Sequence, residues 1–435
     1  MRFIIEGGSR LQGIYVPQGA KNEALQIIAA ALLTPEPVEI ENVPDIIDVR
    51  RQLELVAFLG ATVEELSPHK VRIRAEEVEP HRLLSPEGRA LFRSIRGSVL
   101  IAGPLLARCG EAYLPRPGGD KIGRRRLDTH LLGFTHLGAA ISYDESREIF
   151  HLAAPRRLRG TSLLLEEASV TGTANILMAA ALAEGETTLY HAACEPYIQQ
   201  LGLLLRQMGA SIEGLGTNRL HIEGKLSLRG AKHRLLPDII EIGSIIGLSA
   251  MTQSPIQIRD VPVEHLGPIL HPFSRMGIST SIQGDALHVH PPAIYEPDTL
   301  YDGNILTLSD HTWPGTPPDM LSVLLVVATQ AAGNVLIHQK MFESRLFFVD
   351  RLIEMGAQVV LCDPHRALVI GLGRRSALRG IRMSSPDIRA GMALLIAALS
   401  AEGRSTIEQA EQIERGYERL DARLRELGAQ IEREE

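Results

Sequence analysis

The chain is poor in cysteine, in long apolar runs and in excess charge of either sign. Cys109, Cys194 and Cys362 are the only cysteines among 435 residues. So odd and sparse a set argues against a disulfide framework and for a reducing, cytoplasmic setting. Residues 1–8 lack the long apolar stretch of a secretory signal. The most apolar internal run, residues 320–328, is too short to cross a bilayer and reads as a buried helix, so no membrane partner is expected. A net charge of −7 gives no overall attraction to nucleic acid or to an anionic surface. The 15 histidines form no ligand-spaced cluster with cysteine or carboxylate, so no metal site is expected.

Length and repetition are what the chain has instead. With 435 residues, 45% hydrophobic and 22% charged, it is long enough for two domains. Six times an apolar helix-like run ends in Leu or Met followed by Gly and then alternates like a strand. The six are Leu59-Gly60, Leu137-Gly138, Met208-Gly209, Met276-Gly277, Met355-Gly356 and Leu427-Gly428, and their glycines stand 78, 71, 68, 79 and 72 residues apart. Glycine there supplies a left-handed C-terminal cap, and Val/Ile/Thr alternation after it suits a half-buried strand. Within the same period a small-residue helix runs into a strand, over 29–43, 101–114, 178–191, 246–261, 324–339 and 395–409. A unit of about 70 residues is too long for a solenoid repeat and long enough for a small helix-and-sheet module. Six copies imply two pseudo-symmetric halves of three.

Four segments carry candidate chemistry. Pro115-Arg116-Pro117-Gly118-Gly119-Asp120 makes a loop, and Lys121-Ile122-Gly123-Arg124-Arg125-Arg126 sets four cations behind it. A basic run is ordinarily a solvated turn; glycine-rich backbone beside arginines also suits an anion-binding lid. Lys21, at the entry of the first helix, is by default a surface residue, yet a helix N-terminus already favours anions and a lysine there can hold phosphate. Asp319 follows Trp313-Pro314-Gly315-Thr316-Pro317-Pro318 and reads by default as a cap or turn residue. Arg415 stands in Glu414-Arg415-Gly416-Tyr417-Glu418-Arg419.

Taken together, these segments resemble the enolpyruvyl transferases. The likeness runs through GAKNEAL at 19–25, VPDIIDV at 43–49, IRGSVLIAGPLLAR at 95–108, PGGDKIG at 117–123, MAAALAEG at 178–185, LPDIIEIG at 236–243, PPDM at 317–320, FESR at 342–345, DIRAG at 387–391 and ERGYER at 414–419, in the family's order. The branch acting on shikimate 3-phosphate carries a Ser-Lys-Ser type motif where this chain has GAKN.

The resemblance implies an α/β fold, a two-domain inside-out α/β barrel built from six βαβαββ repeats. Residues 1–19 with 236–435 would form one domain and 20–235 the other, with the active site in the cleft. It implies transfer of the enolpyruvyl group of phosphoenolpyruvate to the 3-hydroxyl of UDP-N-acetylglucosamine, the entry to peptidoglycan synthesis. No cofactor is needed, and family precedent leans to a monomer. Lys21, Arg96, Arg125, Arg389 and Arg415 match the family's positions for holding phosphoenolpyruvate, and Asp319 its candidate base for the sugar hydroxyl. Substrate contacts would also come from Asn22, Arg126, Leu127, Asp128, Thr129, Ser169, Val170, Thr171, Asp319 and Met341, and Arg96 and Arg125 could touch either substrate.

Asp120 occupies the loop position where most of the family carry Cys as proton donor. Aspartic acid is much the stronger acid, and Lys121 and Arg124 push it further toward ionisation. Closure over the anionic substrates would dehydrate it and raise its affinity for a proton. Fosfomycin alkylates the family's thiol, so insensitivity is expected here. Arg126 replaces a Pro that flanks the uracil, Thr171 a Gly near the diphosphate, Cys194 and Ile239 arginines, Leu321 a Gln and Ser344 an Asn. The alternative reading is therefore an enolpyruvyl transferase acting on a different nucleotide or nucleotide-sugar acceptor.

Overall fold

The computed structural model describes residues 1–119, 123 and 125–435. They divide into two compact units, one from residues 1–18 and 237–435 with Gly123, the other from residues 19–119 and 125–236.

Each unit holds three of the repeats, and each is inside-out, with apolar helices at its centre. In the first unit the central helices are Ile239–Thr252, Leu321–Ala328 and Ile388–Ser400, which pack on one another. All residues of Ile239–Thr252 and Leu321–Ala328 are buried. A helix apolar all round has no face to offer water and goes to the interior. Each fully buried Ile, Leu or Val contributes roughly 1.5–3 kcal/mol of transfer free energy. In the second unit Lys21–Ala30, Ala102–Cys109 and Val170–Ala180 take this place. Small residues let them close up. A Cβ on Gly103 would stand 2.3 Å from the Asn175 carbonyl oxygen, and the Asn175 side chain joins the two helices by accepting from Gly103 N–H at 2.7 Å.

The sheets face these helices with one side. Among the described residues each unit has three, and five of the six sheets have four strands with one parallel pair. One example is Ala231–Arg234, Val38–Glu41, Lys70–Arg74 and Thr62–Ser67, in that order. In Val38–Glu41 buried Val38 and Ile40 alternate with half-buried Glu39 and Glu41, which fixes the register of that strand. The outer helices end at the six repeated glycines, all with positive φ from +84° to +112°. This is the left-handed cap that the sequence pattern predicts.

The two helices that follow the chain crossings are built alike. Lys21–Ala30 and Ile239–Thr252 each carry a buried Glu at the third position, Glu23 and Glu241. Glu23 accepts from His233 Nε2 at 2.7 Å and from Leu236 N–H at 3.1 Å. Glu241 accepts from the Tyr15 hydroxyl, Gln18 N–H and Arg423 Nη1, each at 2.7 Å.

Candidate active site

In the first unit the site is built on the starts of two central helices. Asp387 caps the helix Ile388–Ser400 by accepting from Arg389 N–H at 2.8 Å and Ala390 N–H at 2.9 Å. This cap fixes the backbone that carries Arg389. Asp319 lies in the single turn Pro318–Met320. The turn expected of it is there, and both its carboxylate oxygens serve side chains. Arg345 Nη2 donates to Oδ1 at 2.6 Å, and Arg389 Nε and Nη2 reach Oδ2 at 3.1 and 3.0 Å. Arg389 Nη1 also donates to the Tyr417 hydroxyl at 3.2 Å, and that hydroxyl shares a proton with Ser244 Oγ at 2.9 Å. Burial disfavours the Arg389 charge, but Asp319, Tyr417 and Asp238 outweigh it and hold the guanidinium firmly protonated.

Arg415 closes the short helix Glu411–Glu414 and donates to Gln412 Oε1 at 3.2 Å. Met341 is exposed, and its N–H donates to the buried Asp310 at 3.1 Å. Asp310 also accepts from Lys340 N–H and the Gln339 side chain, which shapes the strand end that precedes FESR.

In the second unit Lys21 is the first residue of its helix, but the default reading of a surface lysine does not hold. It is buried against Asp48, with Nζ to Oδ2 at 2.8 Å and side-chain exposures of 9% and 6%. Asn22 follows it, half-buried. Arg96 precedes the turn Gly97–Ile101 and donates from Nη2 to the Arg125 carbonyl at 2.5 Å. Burial, with Arg125 adding to it, pulls the Arg96 guanidinium down to about 10. Gly119 passes directly over Arg96: its φ is +101° and an added Cβ would stand 2.7 Å from the Arg96 Cβ. Asp120 lies outside the described residues, as do Lys121, Ile122 and Arg124.

The remaining acceptor candidates gather where two helices begin. Leu127 precedes Asp128–His136, and Ser169 caps Val170–Ala180 by accepting from Gly172 N–H at 3.2 Å. Thr129 donates to Glu167 at 3.3 Å, and Thr171 pairs with His130 Nε2 at 3.0 Å. Burial, with the Arg96 charge adding to it, drives His130 down to about 3, so it is neutral at physiological pH. Arg126 is exposed and pairs with Asp128 at 2.7 Å. The apolar replacements Ile239 and Leu321 are buried and serve packing. Cys194 is half-buried, and burial followed by Glu195 raises its thiol. Among the described residues no group of three or more His, Cys, Asp or Glu is placed to hold a metal ion. No single helix there is long and apolar enough to cross a membrane.

Arg345, Tyr417, Asp48 and His130 escaped the residue-by-residue reading. Asp48, Arg345 and Tyr417 lie inside segments that carry the resemblance, which was the available signal, and His130 follows the candidate Thr129. What was missing was the fold that joins them to partners far along the chain.

A carboxylate gripped by two arginines and cationic helix starts in each unit are what an enzyme handling a small polyanion requires. The family model for EPSP synthase (3-phosphoshikimate 1-carboxyvinyltransferase) matches residues 5–424. The chain belongs to this family of enolpyruvyl transferases. Among its relatives is the UDP-N-acetylglucosamine 1-carboxyvinyltransferase of Bacteroides thetaiotaomicron, 56% identical over 431 residues and covering 99% of each chain. The enzyme of the same name from Porphyromonas gingivalis is also 56% identical, with 99% of each chain covered. Among solved structures, the enolpyruvyl transferase NikO from Streptomyces tendae superposes with a TM-score of 0.86 at 25% identity, covering 99% of this chain and 98% of that one.

Proposed function

We propose that the chain transfers the enolpyruvyl group of phosphoenolpyruvate to the 3-hydroxyl of UDP-N-acetylglucosamine and releases phosphate. The observation that carries this reading is full-length identity of 56% to enzymes named for that acceptor. The shared carboxylate of Asp319 supports it.

The reaction needs a proton added to the methylene carbon of phosphoenolpyruvate and one removed from the sugar hydroxyl. A tetrahedral adduct forms, loses a methyl proton and expels phosphate, regenerating the vinyl group. Asp319 is the base in this scheme. While Arg345 and Arg389 engage both its oxygens it has little to offer a hydroxyl. A substrate phosphate or carboxylate that draws one guanidinium away frees an oxygen at that moment. A charge pair at 4 Å is worth on the order of 4 kcal/mol at an effective dielectric of 20, enough to move that balance. Lys21, Arg96, Arg125 and Arg415 supply the remaining positive charge, and Asp120 the proton for carbon. In this reading the enzyme is a cytoplasmic monomer that commits UDP-N-acetylglucosamine to peptidoglycan. Lacking a loop thiol, it resists fosfomycin; time-dependent inactivation at low fosfomycin concentration contradicts that role for Asp120.

A second acceptor is favoured by one observation. Thr171, with its side chain tied to His130, replaces a glycine where backbone would approach diphosphate. Phosphate release from phosphoenolpyruvate, measured with UDP-N-acetylglucosamine and then with UMP, UDP-glucose and shikimate 3-phosphate, separates the two. Release with the first supports the proposal, and release only with another overturns it.

A further inference from the structure

Gln18 is the last residue of the first unit before the chain crosses, and its side chain has no part in the scheme for enolpyruvyl transfer. It is 7% exposed. Its carboxamide donates from Nε2 to the Gly416 carbonyl at 2.8 Å and accepts at Oε1 from Glu418 N–H at 2.6 Å. Those two backbone groups flank Tyr417, so one side chain satisfies both as a neighbouring strand would. Gln18 is itself held at both ends. Its N–H donates to Glu241 at 2.7 Å and its carbonyl accepts from Asp238 N–H at 2.8 Å. Glu241 is fixed in turn by Tyr15 and Arg423. On the far side of the clamped segment Tyr417 receives Arg389, and Arg415 immediately precedes Gly416.

We infer that Gln18 is a positioning residue: its carboxamide clamps the backbone around Tyr417 and thereby sets Arg389 and Arg415 for the phosphoenolpyruvate anion. The identity of that anion rests on the enolpyruvyl-transfer reading; the clamp rests on the geometry alone. Only a group with a donor and an acceptor about one carboxamide apart meets both demands. An ionised carboxylate offers acceptors only and sets one oxygen against the Gly416 carbonyl. A thioether of the same length has no donor and only a weak acceptor, and each buried group left unpaired costs about 1–3 kcal/mol.

Two variants test the clamp. In Gln18→Met, kcat falls and KM for phosphoenolpyruvate rises, each about tenfold, while the affinity for UDP-N-acetylglucosamine stays within about twofold. Gln18→Glu shows the same loss at pH 8, but its activity relative to the unaltered enzyme recovers as pH falls. A protonated carboxyl regains one donor and one acceptor. Glu241, Asp238 and Glu418 favour that protonation, Arg423, Arg389 and Arg415 oppose it, and Tyr15 and Tyr417 are neutral across the range. A residue that only fills space gives a ratio independent of pH, which overturns the inference. Hydrogen exchange of the amides of residues 416–419, compared at pH 8, where Gln18→Glu is ionised, reads the clamp without any substrate. Faster exchange in both variants supports it, and unchanged exchange overturns it. An unaltered enzyme that releases no phosphate, with the exchange difference intact, sinks the enolpyruvyl reading and leaves the clamp standing.

Discussion

Asp319 shows what a single side chain gains from the fold. In the sequence it sits after two prolines and ahead of a helix, where a cap or a turn is the ordinary expectation. Its partners Arg345 and Arg389 lie 26 and 70 residues further on, and no local pattern connects positions so distant. FESR and DIRAG were visible as motifs; that their arginines converge on one carboxylate was not. Asp319→Asn keeps the shape but removes the base, and turnover is expected to fall about a hundred- to ten-thousandfold with UDP-N-acetylglucosamine binding retained by calorimetry. Unimpaired turnover removes Asp319 from the chemistry. His130 makes a separate prediction. Its folded-state value of about 3 lies below the ordinary 6.5, so the unfolded chain binds the proton first. The stability from neutral His130 is complete above pH 6.5 and is lost progressively as pH falls toward 3, about 2 kcal/mol of it by pH 5. His130→Gln should flatten that part of a plot of Tm against pH; an unchanged slope contradicts the assignment.

Helices and strands were the more legible level. The six Leu/Met-Gly marks all close outer helices, and the apolar run that reads as a buried helix forms Leu321–Ala328 with every residue buried. Both signals survive because they are local: a cap depends on backbone geometry at one residue, and an all-round apolar helix has nowhere to go but inside. Gly209 isolates the first effect. Its φ is +107° and an added Cβ would meet nothing within 4 Å, so Gly209→Ala introduces strain without a clash. The expected cost is about 1 kcal/mol, read as a lower Tm with activity unaltered, and a Tm that does not move contradicts the cap. Less legible were the paired Glu23 and Glu241, which look like ordinary first-turn carboxylates. Their burial and their grip on Leu236 and Gln18 depend on strands brought in from elsewhere.

For the molecule as a whole, the period of about 70 residues announces six modules, and the fold delivers three in each unit. Periodicity carries no information about where the chain leaves one unit for the other; that expectation came from family resemblance. Function follows the same division. Composition excludes classes without choosing an enzyme, whereas ordered motifs and full-length kinship choose the chemistry. That chemistry makes a specific demand: the carbon that leaves as a vinyl group must first become a methyl group by taking a proton from water-exchangeable acid. The direct measurement is to run phosphoenolpyruvate with UDP-N-acetylglucosamine in deuterium oxide and to examine the nucleotide product by mass spectrometry and NMR. The account predicts an enolpyruvyl ether on the 3-oxygen with solvent deuterium in its methylene group. An unchanged nucleotide, or an ether free of deuterium, contradicts it.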